Sequence, residues 1–301
     1  MGIGKVWEIV KGAFNDFWED DAMSHGAAVA FYTALSFAPL LMLLVTVSST
    51  LGEGTQDKIV EQFESFIGPE AGVAVEQVME NAEDKPRMTS LAGWISFGVL
   101  FFSASTVFAQ LQAAMNSIWD VKPKPNQGVW AWIRKRLLSM GMIAAIMFLL
   151  LSSLVVTSVL QVILGEGEGI WFVAQIAISL AVFTILFAAI FKILPDVQIG
   201  WKHVWTGSFI TALLFIGGKY LIGLYLSKAA VGSEYGAAGS LVLLLLWVYY
   251  SSLILFFGAE ITQVYARVTD HAIVPDQHAE WRPDAKHRAI EASKPAEPHT
   301  A

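Results

Sequence analysis

Cysteine is absent from the 301 residues, so a disulfide framework and a Cys-ligated metal site are both excluded. Charge is scarce as well. Asp, Glu, Lys and Arg make up 15% of the chain, against roughly 25% in an average soluble domain. With 55% hydrophobic residues and a mean hydropathy of +0.56, too few polar side chains remain to clothe a water-soluble globule. A soluble enzyme is disfavoured on that ground. An excess of base is also missing: the net charge of −7 argues against a nucleic-acid surface, which needs Lys and Arg gathered on one face. The chain has no P-loop, no Rossmann glycine pattern and no Gly-x-Ser-x-Gly elbow. Outside the C-terminal segment the histidines are His25 and His203, so the clustered His and Asp of a metal-dependent nuclease are lacking too. No cofactor, metal or catalytic constellation is implied.

Long uncharged runs are what the chain does contain. A helix needs about 20 mainly apolar residues to cross the hydrocarbon core, and the sequence supplies that length repeatedly. The expected fold is all-α: a polytopic membrane protein with six spans at about 26–50, 90–114, 137–163, 170–191, 203–226 and 236–260. Lys219 interrupts the fifth, near an end where its stem can snorkel to the headgroups. Gly165 to Gly169 turns the third span tightly into the fourth.

Lys and Arg fix the expected orientation, because cytoplasmic loops carry their excess. One side collects 14 of them and the other 5, and the cluster Arg134, Lys135 and Arg136 sits directly before a span. Both termini are therefore expected in the cytoplasm of a bacterial inner membrane. Residues 1–21 hold five acids and no compact apolar core, so they are expected to form an interfacial amphipathic helix and not a signal peptide. Ile59, Phe63, Phe66 and Ile67, then Val75, Val78, Met79 and Ala82, predict two short amphipathic helices in the outer loop 51–87. Residues 269–301, rich in Pro and in charges of both signs, are expected to be a disordered cytoplasmic tail.

Small residues at every fourth position mark seams between membrane helices. Gly26, Ala30, Ala34 and Ala38 form one on the first span, Ser105 and Ala109 one on the second, and Gly232 and Gly236 one entering the sixth. These three helices are expected on the inside. Polar groups within a bilayer are costly and so mark pathways. The candidates are Tyr32, Ser36, Gln112, Asn116, Tyr235, Tyr249 and Glu260, with Pro39 as a kink that frees a carbonyl. Glu260 closes an uncharged run, where Lys192, Arg267 or a base of the second inner loop could pair with it. Tryptophans near span ends, Trp94, Trp119, Trp201 and Trp205 among them, are expected as interfacial anchors.

Several separated stretches resemble one family. The run Ala27 to Leu40, Asn116 to Trp119, the Leu194-Pro195-Asp196 corner, Ser233 to Ser240, Trp247 to Tyr250 and Phe257 to Glu260 follow in order over residues 15–268 and are similar to the YihY/BrkB family. The resemblance implies a bacterial six-helix inner-membrane domain of obscure function. It carries older ribonuclease and virulence-factor labels, and some members are connected with envelope lipid traffic. The residues offer the ribonuclease label no support. The leading expectation is movement of an amphiphile or small solute through a polar cavity, with membrane lipids as partners. A non-transporting envelope scaffold with a protein partner is the alternative, and a lipid-acting enzyme built on Glu260, Asp196 and His25 is a third.

Overall fold

A stretch without charge over twenty or more positions has to satisfy its backbone internally, and a helix does this with no outside partner. The computed structural model describes residues 3–48, 91–125, 168–228, 239–269 and 273–283, together with residue 141. Within them lie six long helices: α1 (Ile3–Glu19), α2 (Ala22–Ser48), α3 (Leu91–Ile118), α4 (Glu168–Ile193), α5 (Trp201–Lys228) and α6 (Gly239–Val268). The third expected span, the outer loop 51–87 and the Arg134 cluster lie outside the described residues. Two helices hold windows long and apolar enough to cross a membrane by length and composition: Ile176–Ile193 at mean hydropathy 2.5 and Leu244–Val268 at 1.7.

Helix α6 is the hub. It packs on α1, α2 and α5, while α2 also packs on α3 and α4 on α5. The α5–α6 crossing is built on a reciprocal pair of glycines: Thr262 lies over Gly207, and Thr211 lies over Gly258, so closely that neither glycine has room for a Cβ. Each threonine hydroxyl donates to the glycine carbonyl four residues back on its own helix, at 2.7 Å in both cases. This seam was not foreseen, because the small-residue reading concentrated on the first, second and sixth spans.

The outer surface is apolar. Leu91, Trp94, Ile95, Val99, Val173 and Leu221 are all exposed. On α1, Ile9 and Ala13 are buried against Ile261 and Val264, and Phe17 meets Phe257 edge-on. Its other face presents Trp7, Val10, Phe14 and Trp18, spaced to form one exposed apolar stripe.

One end of the bundle carries four short strands: β1 (Val121–Pro123), β2 (Val197–Gln198), β3 (Val274–Pro275) and β4 (Ala279–Trp281). β1 pairs antiparallel with β4, and β2 with β3. Opposite charges face each other in the first ladder, where Lys122 reaches Glu280 at 3.4 Å. The expectation of disorder throughout 269–301 therefore needs correction. Residues 273–283 are ordered because the loops after α3 and α4 offer strand edges, which satisfy the segment's backbone without a large apolar core. Asp120, with φ of 56°, starts this arrangement. The left-handed turn is one that Asp tolerates, and its carbonyl accepts the Arg282 N–H at 2.8 Å.

Candidate functional site

Buried polar groups occur on α2, α3 and α6, and further ones, Thr184 on α4 and His203, Ser208 and Thr211 on α5, lie on the neighbouring helices. Toward the middle of α2, the Ser36 hydroxyl is within 3.0 Å of both the Ser103 carbonyl and the Thr106 hydroxyl on α3. Ser105, fully buried, donates to the Phe102 carbonyl at 2.7 Å. Eleven residues along α3 from Ser105, about 16 Å at helical rise, stands Asn116. Its amide donates to Asp196 Oδ2 at 2.8 Å, and its carbonyl oxygen accepts the Asp196 backbone N–H at 2.8 Å. Gln112, one turn earlier, donates to Asp196 Oδ1 at 3.3 Å. The three residues lock the α4–β2 corner onto α3. Asn116 and Gln112 were expected to share a face, and they do; their common acceptor on a distant loop was not legible.

The stranded end holds a second cluster. Glu260 has no exposed surface, and neither of its carboxylate oxygens has a hydrogen-bond partner among the described residues. Around it stand Asp16 of α1, Asp20 just beyond that helix, Asp120 after α3, and Arg267 further along α6. Two of the pairings anticipated from the sequence, with Arg267 and with Lys192, do not form, and the third falls largely on Arg134, Lys135 and Arg136, outside the described residues. Arg267 binds Asp16 at 2.6 Å, and Lys192 donates to the Ile199 carbonyl at 2.6 Å while lying over the Trp201 ring. A lysine at the end of a helix finds a nearby carbonyl at less conformational cost than a carboxylate across the bundle. Gln263, three residues beyond Glu260 and so on the same face, is buried with its Oε1 unpartnered.

Other candidates divide. Gly26 and Ala30 are buried, and Gly26 meets Leu253 and Tyr249 of α6 at the distances of a tight seam, 3.0 and 3.4 Å from where its Cβ would stand. Ala34 is half-buried and Ala109 exposed, so the α3 seam is narrower than its spacing suggests. Tyr32 points outward against Phe31 and does not join Ser36 inside, although the two are four residues apart. Trp119 is likewise no interfacial anchor: it has no exposed surface, because the chain turns back at Asp120 and lays β1 and β4 beside it. Trp94, Trp201 and Trp205 are exposed as anchors require. Pro39 lies within α2, whereas Tyr235, Gly232 and Gly236 fall outside the described residues, as do the side chains of Pro39 and Ala38. Among the described residues no group of three or more His, Asp or Glu is placed to hold a metal ion.

The family described as Virulence factor BrkB has a sequence pattern that matches residues 13–283, nearly the whole of the region just described. The chain belongs to the BrkB family. It is a membrane protein, as are relatives named UPF0761 membrane protein: one in Pseudomonas paraeruginosa is 29% identical over 259 residues, covering 81% of this chain and 59% of the relative. Another in Azotobacter vinelandii is 26% identical over 261 residues, covering 82% and 60%. The chain thus spans less than two thirds of the length of these UPF0761 relatives. A Bacillus subtilis relative, the Putative ribonuclease-like protein YfkH, is 23% identical over 267 residues, covering 84% of this chain and 93% of its own length. No solved structure matches.

In this BrkB-family chain the Asp16–Arg267 pair ties α1 to α6. Arg267 is 38% exposed and Asp16 11%, so water screens the pair in part. A double-mutant cycle of Asp16→Ala and Arg267→Ala in detergent unfolding is expected to give a coupling of about 0.5–1 kcal/mol. Additive effects would show that the apolar Ile9 and Ala13 contacts alone hold α1.

Proposed function

We propose that this chain is a six-span protein of the bacterial inner membrane, with both termini cytoplasmic, that moves a lipid-like amphiphile or small solute through the interior of its bundle. One observation supports the reading: polar groups such as Ser36, Asn116, Ser208, Thr211 and Glu260 are covered or nearly so, while the exposed large side chains are Leu, Trp, Ile, Val and Phe. That is the inverse of a soluble protein. Polar side chains inside a membrane bundle are costly unless they are used. No ATPase motif is present, so the driving force would come from an ion gradient, a partner or the solute's own gradient.

The ribonuclease-like name belongs to the Bacillus relative and is not extended to this chain. A nuclease site would need metal-binding carboxylates and histidines brought together and a basic face, and a net charge of −7 supplies no such face. A scaffold role working through a free tail has less to use than the composition suggests, since residues 273–283 are spent on pairing with β1 and β2. In proteoliposomes with labelled phospholipids and small solutes, wild-type protein is expected to move at least one class faster than protein-free vesicles. Ser36→Leu, which places an apolar branch between α2 and α3, is expected to slow it several-fold. Equal rates with and without protein for every class would overturn the transport reading.

A further inference from the structure

The Glu260 environment carries an inference that holds whether or not a solute moves. An ionised carboxylate removed from water is strongly unfavourable unless donors or a cation compensate it. Glu260 is fully covered and has no donor among the described residues. The cation acting on it among the described residues, Arg267, is bound to Asp16. The other charges reaching it among the described residues, from Asp16 on α1, Asp20 just beyond it and Asp120 after α3, are all negative. From α2 the nearby packing surface is Gly26, with half-buried His25 lying toward Asp21 and Arg282. From α5 it is Gly207 and Thr211, with His203 turned to Thr269. Among the described residues, no cation but the Asp16-bound Arg267 is placed to compensate a charge on Glu260.

Gln263 shows the complementary defect. Its Oε1 is buried with no donor, on the same face of α6 as Glu260. Three residues apart on one helix face, the two can be satisfied by one hydrogen: a neutral carboxyl donates, and the amide oxygen accepts. A larger ion is disfavoured by the absence of any exposed surface at Glu260, and the described residues offer no set of three or more ligands for a metal.

We propose that Glu260 is a proton-binding site, its carboxyl holding a proton beside Gln263 while α1 is docked. Asp16 and Arg267 close α1 over this position, so lifting α1 admits water and frees the proton. Proton occupancy and α1 docking are therefore linked, and each favours the other.

Infrared spectroscopy tests the site without any solute. Full-length protein with side-chain 13C-glutamate, in phospholipid nanodiscs at neutral pH, is expected to show the carbonyl band of a protonated glutamic acid, which labelling separates from every Asp. Glu260→Gln is expected to lose that band. Glu260→Asp, which keeps a carboxyl in place and so guards against misfolding of the first variant, should lose it as well. Absence of the band from wild type overturns the proposal, and so does its persistence in either variant. Because no transport is measured, failure here leaves the proteoliposome result standing, and the reverse.

Discussion

Gly207→Ala is expected to destabilise the bundle by about 1–3 kcal/mol, the usual cost of forcing extra volume into a packed contact. The added methyl would stand inside the Thr262 side chain. That threonine has little freedom to yield, because its hydroxyl is held on the Gly258 carbonyl at 2.7 Å. Gly258→Ala should behave alike against Thr211, whose hydroxyl is held on the Gly207 carbonyl. The decisive measurement is the double variant in detergent thermal unfolding. Thr262→Ala combined with Gly207→Ala should recover at least about 1 kcal/mol of the loss, since contacting residues couple by 0.5–3 kcal/mol. Additivity would mean that the helices cross elsewhere. Without close backbone approach at this point, α5 would lose its grip on α6, and the α4–α5 pair would go with it, because α4 reaches α6 through α5.

Composition and run length made the helical, membrane-embedded class legible, because a long uncharged stretch admits few other solutions. The approximate bounds of α2, α3, α4, α5 and α6 follow from the same runs. Partners were not legible. Gly207-x3-Thr211 and Gly258-x3-Thr262 are visible as a repeated spacing, yet only their crossing shows that each threonine belongs over the other helix's glycine. The stripe Glu260, Gln263 and Arg267 could be read on one face of α6, but not the turn of α1 that brings Asp16 to Arg267. Tail order escaped composition for a related reason. Strand pairing of two or three residues is decided by the edge offered, and the edges here lie some 80 to 160 positions away in sequence.

The second large effect is expected at Asn116. In wild type its amide and carbonyl read the Asp196 carboxylate and backbone N–H at once, both at 2.8 Å. Asn116→Ala removes both contacts from half-buried Asp196, a loss of about 1–3 kcal/mol for hydrogen bonds that include a charged acceptor. Asn116→Asp is expected to be worse than alanine at neutral pH. It keeps an acceptor for the N–H but sets a second carboxylate against Asp196 Oδ2, where like charges in a partly buried site repel. Adding Asp196→Asn to Asn116→Asp should restore most of the stability, because the exchanged pair again has one amide donating to one carboxylate. Thermal unfolding of the four proteins in detergent separates the cases. If the exchanged pair is no more stable than Asn116→Asp alone, the α4–β2 corner is held by packing around Leu194 and Val197, both buried, and not by the polar lock.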